Sequence, residues 1–75
     1  MCKTEIIFSR SLIAPVQDII CRSEGVNGFI MWFECEGLPR DKVRIDYTAD
    51  KIVTERLKLR INNAYPEIQV KIHSL

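Results

Sequence analysis

The sequence predicts an α+β fold, a βαββαβ ferredoxin-like sandwich in which two helices cover one face of an antiparallel sheet. Four segments alternate apolar and polar residues with the period of β-strands. Two other segments carry apolar residues at helical spacing, one after the first strand and one after the third. The chain has 75 residues, of which 47% are hydrophobic and 28% charged. This size and composition predict a single folded domain over residues 1–75.

The first strand and the first helix follow each other closely. The segment TEIIFSR alternates, with Ile6 and Phe8 on one face. Pro15 suits the first turn of a helix, because its missing N–H would have no partner there. Apolar residues then recur at helical spacing, and Gly25 is a suitable residue just beyond the helix end. A strand followed by a helix is therefore expected.

The segment NGFIMWFECEG is the strongest strand signal in the chain. Both faces of this strand are apolar, with Phe29, Met31, Phe33 and Cys35 on one and Ile30 and Trp32 on the other. Such a pattern is typical of a central strand, or of a strand whose outer face is covered by another surface. Gly37 and Pro39 then mark a turn, so this strand and the next should form a hairpin.

The second half of the chain continues with a strand, a helix and a strand. The segment KVRIDYT alternates cleanly, and its predicted inward residues are Val43, Ile45 and Tyr47. Thr48 or Asp50 can cap a second helix over about residues 49–63. The predicted apolar stripe of this helix is Ile52, Val53, Leu57, Ile61 and Ala64. Pro66 ends the helix, and PEIQVKIHSL should form a last strand beside the first.

Composition argues against several kinds of partner. Eleven Lys and Arg balance ten Asp and Glu for a net charge of +1, whereas nucleic-acid binding domains usually carry a basic surplus. No apolar run reaches the roughly 18 residues of a membrane span. Cys2, Cys21 and Cys35 are widely spaced, and the first residues lead straight into a strand pattern, so a secretory leader is not expected. We therefore expect free thiols, a cytoplasmic location, and neither nucleic acid nor membrane as a partner.

The residue types needed for catalysis or metal binding are not grouped along the chain. The only histidine, His73, has no nucleophile at a recognisable spacing, and the cysteines lack metal-ligand spacing. The three glycines are isolated, so no phosphate-binding loop is indicated. We expect no catalytic residues, no metal ligands and no activity for the 75-residue chain by itself.

Several short motifs resemble one enzyme family. IIFSR, APVQDII, VRIDYT, TERLKLRI, PEIQVKI and HSL follow one another in the order found in the C-terminal domain of phenylacetate–CoA ligase-like adenylate-forming enzymes. Two departures stand out. Ser11 follows the arginine where the family has glycine, and the family's catalytic lysine lies beyond the counterpart of HSL, where this chain ends at Leu75.

The resemblance implies that the chain is the mobile lid of an ATP-dependent acid–CoA ligase, and a fragment of a larger protein. Its partner would be the N-terminal adenylation domain. ATP and coenzyme A would be the cofactors of the parent enzyme, although this chain alone would bind neither. Arg10 would lie near the hinge and the nucleotide.

A second hypothesis treats the chain as a free-standing regulatory or protein-interaction module. Domains with this strand order commonly associate through their sheets. Ile30 and Trp32, predicted to lie on the outer face, would then be the contacts of a homodimer. Concentration-dependent association distinguishes this hypothesis from the ligase lid.

Overall fold

The predicted element order is present in the structure, a computed structural model that describes all 75 residues. The elements are β1 (Cys2–Ser9), a short 3-10 turn (Arg10–Leu12), α1 (Ile13–Cys21), β2 (Phe29–Trp32), β3 (Lys42–Ala49), α2 (Lys51–Ala64) and β4 (Gln69–Ser74). The strands form one antiparallel sheet in the order β2-β3-β1-β4. Both helices contribute to a single core on one face of it. The predicted α+β, βαββαβ ferredoxin-like fold is confirmed.

The register of β1 decides which side chains face the helices. Ile6 pairs with Ile45 of β3 on one side and with Val70 of β4 on the other. Because side chains alternate along a strand, every second residue of β1 then faces the helices. β4 lies beside β1, as the sequence predicts.

The core lies between the sheet and the two helices. Its ten buried residues are Ile6, Phe8, Val16, Ile20, Val43, Ile45, Tyr47, Leu57, Ile61 and Ile68. Each helix contributes a pair spaced four residues apart, which is the spacing of one helix face. The inward residues predicted for β1 and β3 are all buried.

The second helix differs from its prediction in which residues face the core. Asp50 is the N-cap, since its carboxylate accepts a hydrogen bond of 2.9 Å from the backbone N–H of Val53. Thr54 is buried, but Ile52 is 65% exposed and Ala64 is exposed too. Ile52 lies about 200° around the helix from Thr54, so both cannot face the sheet. The prediction that Ile52 and Ala64 belong to the stripe is wrong.

Strand β2 is shorter than predicted and lies at an edge of the sheet. It ends at Trp32, whose partner is Arg44 of β3, so that Phe33 and Cys35 fall outside the strand. Phe33 is 49% exposed. The central-strand alternative is therefore wrong, because β2 pairs with β3 alone. The apolar outer face of β2 is left exposed by this chain.

Candidate functional site on the open face of the sheet

The sheet face away from the helices, called here the open face, carries an ordered set of charged and apolar side chains. Its members come from all four strands: Lys3, Glu5, Ile7, Ile30, Trp32, Arg44, Asp46, Lys71 and His73. They reach the same face because they alternate with core residues along each strand. Several of them are joined by hydrogen bonds and ion pairs into one network.

Asp46 is the centre of the ordered part. One carboxylate oxygen accepts a hydrogen bond of 2.7 Å from Arg44 Nε. The other accepts from Arg44 Nη2 at 2.8 Å and from Trp32 Nε1 at 3.2 Å, and Lys3 Nζ lies 3.9 Å away. Asp46 is consequently only 7% exposed although it points away from the core. These contacts hold the Trp32 ring against the sheet.

Both members of the Arg44–Asp46 ion pair keep their charge at neutral pH, because each shifts the pKa of the other. Burial by itself would raise the pKa of Asp46, but hydrogen bonds from Arg44 and Trp32, with the charges of Arg44 and Lys3, outweigh burial and lower this pKa below its usual value. The hydrogen bond to Asp46 in turn raises the pKa of Arg44, despite some desolvation. Asp46 is therefore an anion at neutral pH.

Glu5 forms the second acidic point of the face. One of its carboxylate oxygens lies 3.4 Å from Arg44 Nη2, 3.7 Å from His73 Nε2 and 4.0 Å from Lys3 Nζ. Glu5 lies directly opposite Asp46 of β3, and the side chains of Lys3, Arg44 and His73 lie around these two carboxylates. His73 contacts a carboxylate here and no nucleophile.

The apolar part of the open face lies along β2. Ile30 is 54% exposed and Trp32 is 41% exposed, and Ile7 on β1 is 40% exposed. The Arg44 guanidinium stands 6.0 Å from the centre of the Trp32 ring, a cation–π distance. A shallow cavity of about 200 Å³ lies beside Ile30 and Trp32. The structure thus brings together the two residues predicted as interface contacts, whose role in an interface stays a prediction.

Arg10 lies away from the open face, at the end of β1 and beneath the loop that joins β2 to β3. Its Nε donates to the carbonyl of Arg40 at 2.6 Å and its Nη2 donates to the carbonyl of Phe33 at 2.7 Å. Its backbone N–H donates to the carbonyl of Asp41 at 2.9 Å. Arg10 therefore joins both ends of the β2–β3 loop. Its predicted role near a nucleotide stays a prediction.

A wide cleft of about 710 Å³ opens where this loop leaves the sheet. Arg10, Arg40 and Phe33 line it, with the Arg10 guanidinium 5.8 Å from the centre of the Phe33 ring. The Arg40 side chain has no carboxylate within 4.0 Å and no hydrogen-bond partner. We call this space, which Glu34, Cys35 and Leu38 also line, the loop cleft.

Sequence reasoning missed the ion-pair network, although a signal for it exists. Lys3 and Glu5 on β1, like Arg44 and Asp46 on β3, are a basic and an acidic residue two positions apart, so all four side chains can share one face of the sheet. The exact register that links them, with Glu5 opposite Asp46, depends on the hairpin and crossover geometry.

Other chemistry is sparse in the structure. No three His, Cys, Asp or Glu side chains come together as metal ligands, and all three cysteines are free. Neither helix has the length and hydropathy to cross a membrane.

The hydroxyls of Thr4 and Tyr47, paired residues on β1 and β3, are buried without a hydrogen-bond partner. Burial raises the pKa of Tyr47.

Comparison with known proteins identifies the fold. No protein-family model matches the chain. No curated protein matches it either. Among solved structures, a PII-like signaling protein of Thermus thermophilus has a TM-score of 0.77 at 17% identity, over 96% of this chain and 82% of that one.

CPII, a nitrogen regulatory PII-like protein of Thiomonas intermedia K12, is similar in two forms. Its apo form has a TM-score of 0.78 at 15% identity, over 96% of this chain and 85% of that one. A form bound to ADP, AMP and bicarbonate has a TM-score of 0.79 at 15% identity, over 99% of this chain and 88% of that one. At such identities the likeness concerns the fold.

These findings correct the ligase interpretation. The similar structures are PII-like signaling proteins, so the resemblance to phenylacetate–CoA ligase-like enzymes, and the lid function drawn from it, are wrong. The prediction of ATP and coenzyme A as cofactors rests only on that resemblance and is wrong too. The similar CPII structure holds ADP, AMP and bicarbonate instead. The quoted motifs were short and mostly apolar, and any βαββαβ chain needs such segments in that order. This chain has the fold of the PII-like proteins.

Proposed function

We propose that the chain is a regulatory module that associates with a second copy of itself through the open face and binds an adenine nucleotide in the loop cleft. The observation that carries this proposal is the exposed pair Ile30 and Trp32 beside the hydrogen-bonded ion pair of Arg44 and Asp46. The fold shared with PII-like regulators supports a regulatory role. The free cysteines favour a cytoplasmic setting.

Association through the open face has a hydrophobic driving force. Complete burial of a large apolar side chain contributes roughly 1.5–3 kcal/mol. Ile30 and Trp32 are 54% and 41% exposed, so each has about half of its surface left to bury. Asp46 and Arg44 hold the Trp32 ring in place, which lowers the entropic cost of ordering it in an interface.

Charge on the open face suits a second copy of the same surface. Lys3 and Arg44 lie beside Glu5 and Asp46, so a copy rotated on the first can set basic groups opposite acidic ones. A homodimer is the simplest assembly of this kind, because a two-fold axis pairs one patch with itself.

Sedimentation velocity over micromolar to millimolar concentrations tests the association. We expect the wild-type chain to form a dimer or a larger assembly. Trp32→Ala should weaken association roughly tenfold or more, since a buried aromatic contact is lost. Ile30→Lys should do the same without removing the Trp32 hydrogen bond to Asp46. Leu59→Ala on α2, where Leu59 is 63% exposed, is the matched control and should change nothing. A wild-type chain that stays monomeric at millimolar concentration would contradict the proposal.

The nucleotide part of the proposal is supported by the chemistry of the loop cleft. The volume of about 710 Å³ lies within the range of pockets for molecules of nucleotide size. Arg40 offers an unpaired guanidinium, which binds phosphate oxygens in a planar, bidentate manner. The Phe33 ring is 49% exposed and offers a face on which a base can stack. CPII, of the same fold, binds ADP and AMP.

Calorimetric titration with ADP and AMP tests this part separately. Arg40→Gln should weaken binding roughly tenfold, which corresponds to one lost charged contact. Lys51→Gln, an equal charge change at an exposed residue outside the cleft, should leave the affinity unaltered. Arg10 is unsuitable as the deciding variant because it also holds the loop carbonyls. Absence of ADP binding, or equal affinity in Arg40→Gln, would contradict a nucleotide site here.

A further inference from the structure

A separate basic cleft lies on the helix side of the molecule, between the end of α1 and the first turns of α2. It has a volume of about 220 Å³, and its floor is formed by Val53 and the buried Leu57. Three arginines, Arg22, Arg56 and Arg60, line its walls together with Ser23 and a single acid, Glu24. This space, called here the arginine cleft, belongs to neither the open face nor the loop cleft.

The two arginines contributed by α2 are not neutralised by this chain. Arg56 and Arg60 have no carboxylate within 4.0 Å, whereas Arg22 is held by Asp18 at 2.8 Å. Arg60 Nη1 donates only to the Ser23 hydroxyl, at 3.3 Å. Residues four apart share one helix face, so like charges there repel each other and destabilise the helix. A bound anion would remove that repulsion.

The shape of the arginine cleft is fixed by close packing between the two helices. Gly25, with φ of +90°, lies against Val53, and a Cβ there would come within 2.9 Å of Val53 Cγ2. Ser23 Oγ donates at 2.9 Å to the carbonyl of Ile19, which ties the turn after α1 to the helix. The wall that carries Arg22 is thus held beside the wall that carries Arg56.

From this geometry we infer that the arginine cleft binds a phosphate-class anion with at least two negative charges, of the size of pyrophosphate. A volume of about 220 Å³ lies below the roughly 300 Å³ at which pockets for drug-sized ligands begin, which suits a small anion better than a whole nucleotide. Guanidinium groups bind phosphate oxygens through paired hydrogen bonds. The apolar floor of Val53 and Leu57 adds no carboxylate that would compete for the guanidinium groups.

Titration of isotope-labelled protein with inorganic pyrophosphate at low ionic strength, followed by amide chemical shifts, tests the inference. The largest shifts should fall on residues 22–25 and 53–60. Arg56→Gln and Arg60→Gln should each raise the dissociation constant roughly tenfold. Glu24→Gln should lower it, because a repelling carboxylate is removed. Lys58→Gln, on the same helix but outside the cleft, is the matched control and should weaken binding less than twofold, as general screening predicts.

Three results would overturn the inference: shifts spread evenly over the basic surface, an equal loss of affinity in Lys58→Gln, or no saturable binding of pyrophosphate. A parallel titration with ADP separates free pyrophosphate from the phosphates of a nucleotide. We expect ADP shifts at the loop cleft to survive in Arg56→Gln, and pyrophosphate shifts at the arginine cleft to survive in Arg40→Gln. The proposal of ADP binding at the loop cleft and that of pyrophosphate binding at the arginine cleft can therefore be refuted separately.

Discussion

Replacement of Asp46 by Asn removes the charge at the centre of the open face while it keeps the shape of the side chain. Asp46 accepts two hydrogen bonds from Arg44, at 2.7 and 2.8 Å. The Arg44 side chain is 29% exposed, so each bond is screened and contributes about 0.5–1 kcal/mol. The amide of Asn keeps one acceptor for Trp32 and turns an N–H₂ group towards Arg44. The expected loss in free energy of unfolding is therefore about 1–2 kcal/mol near neutral pH.

The assay is denaturant unfolding, followed by Trp32 fluorescence, at a protein concentration low enough that self-association does not contribute. For a domain of 75 residues, the expected loss corresponds to a fall in Tm of roughly 10 °C. Asp18→Asn is the matched control. Asp18 forms an ion pair of 2.8 Å with Arg22, but the two side chains are 56% and 76% exposed. The control should lose less than about 0.5 kcal/mol.

The pH dependence gives a second and sharper test of the same reasoning. The folded-state pKa of Asp46 lies below its unfolded value, so its stabilising effect is fully present above the unfolded pKa of about 3.9. That effect is lost as the pH falls through the folded pKa. The difference in unfolding free energy between wild type and Asp46→Asn should shrink between about pH 7 and about pH 3. An equal difference at both pH values, or none near pH 7, would refute the ion-pair account.

Two further predictions concern the core and the turn that follows α1. Tyr47→Phe removes a buried hydroxyl that has no hydrogen-bond partner. The free energy of unfolding in urea should therefore stay unchanged or rise by up to about 1 kcal/mol. A fall in this free energy of more than about 1 kcal/mol would show that the hydroxyl makes a hydrogen bond in the folded protein. Gly25→Ala should destabilise by about 1–3 kcal/mol, because φ is +90° and the new Cβ would lie 2.9 Å from Val53 Cγ2. Gly37→Ala is the control for backbone strain alone, because Gly37 has φ of +82° and a Cβ there would meet nothing within 4 Å. Its loss in unfolding free energy should be smaller than that of Gly25→Ala. Equal losses in the two variants would show that the contact with Val53 does not contribute to the effect at Gly25.

The architecture is largely readable from local patterns, because strand and helix periods differ and each segment shows one of them. Alternation along β1 and β3 correctly predicts that Ile6, Phe8, Ile45 and Tyr47 are buried. The errors arise where tertiary structure overrides the pattern. The pairing of β2 with β3 ends at Trp32, and the exposed Phe33 follows the loop instead of the strand.

Prediction of the site from sequence was less complete. The alternation along β2 predicts that Ile30 and Trp32 lie on the outer face, and the structure shows both exposed. Their neighbours in the ion-pair network were not anticipated, since Glu5 and Arg44 are far apart in the chain. The ligase interpretation failed because short apolar motifs report the order of elements, which unrelated proteins share.

The sequence by itself determined the element order, the inward faces of β1 and β3, a helix cap at Thr48 or Asp50, and the outer-face position of Ile30 and Trp32 on β2. Each of these depends on residues close together in the chain. Only the tertiary structure decided the rest. The register of β1 against β3 sets Glu5 opposite Asp46, and the packing of Gly25 on Val53 closes the arginine cleft. Such contacts join residues that no local period relates, so they exist only once the sheet and helices have packed.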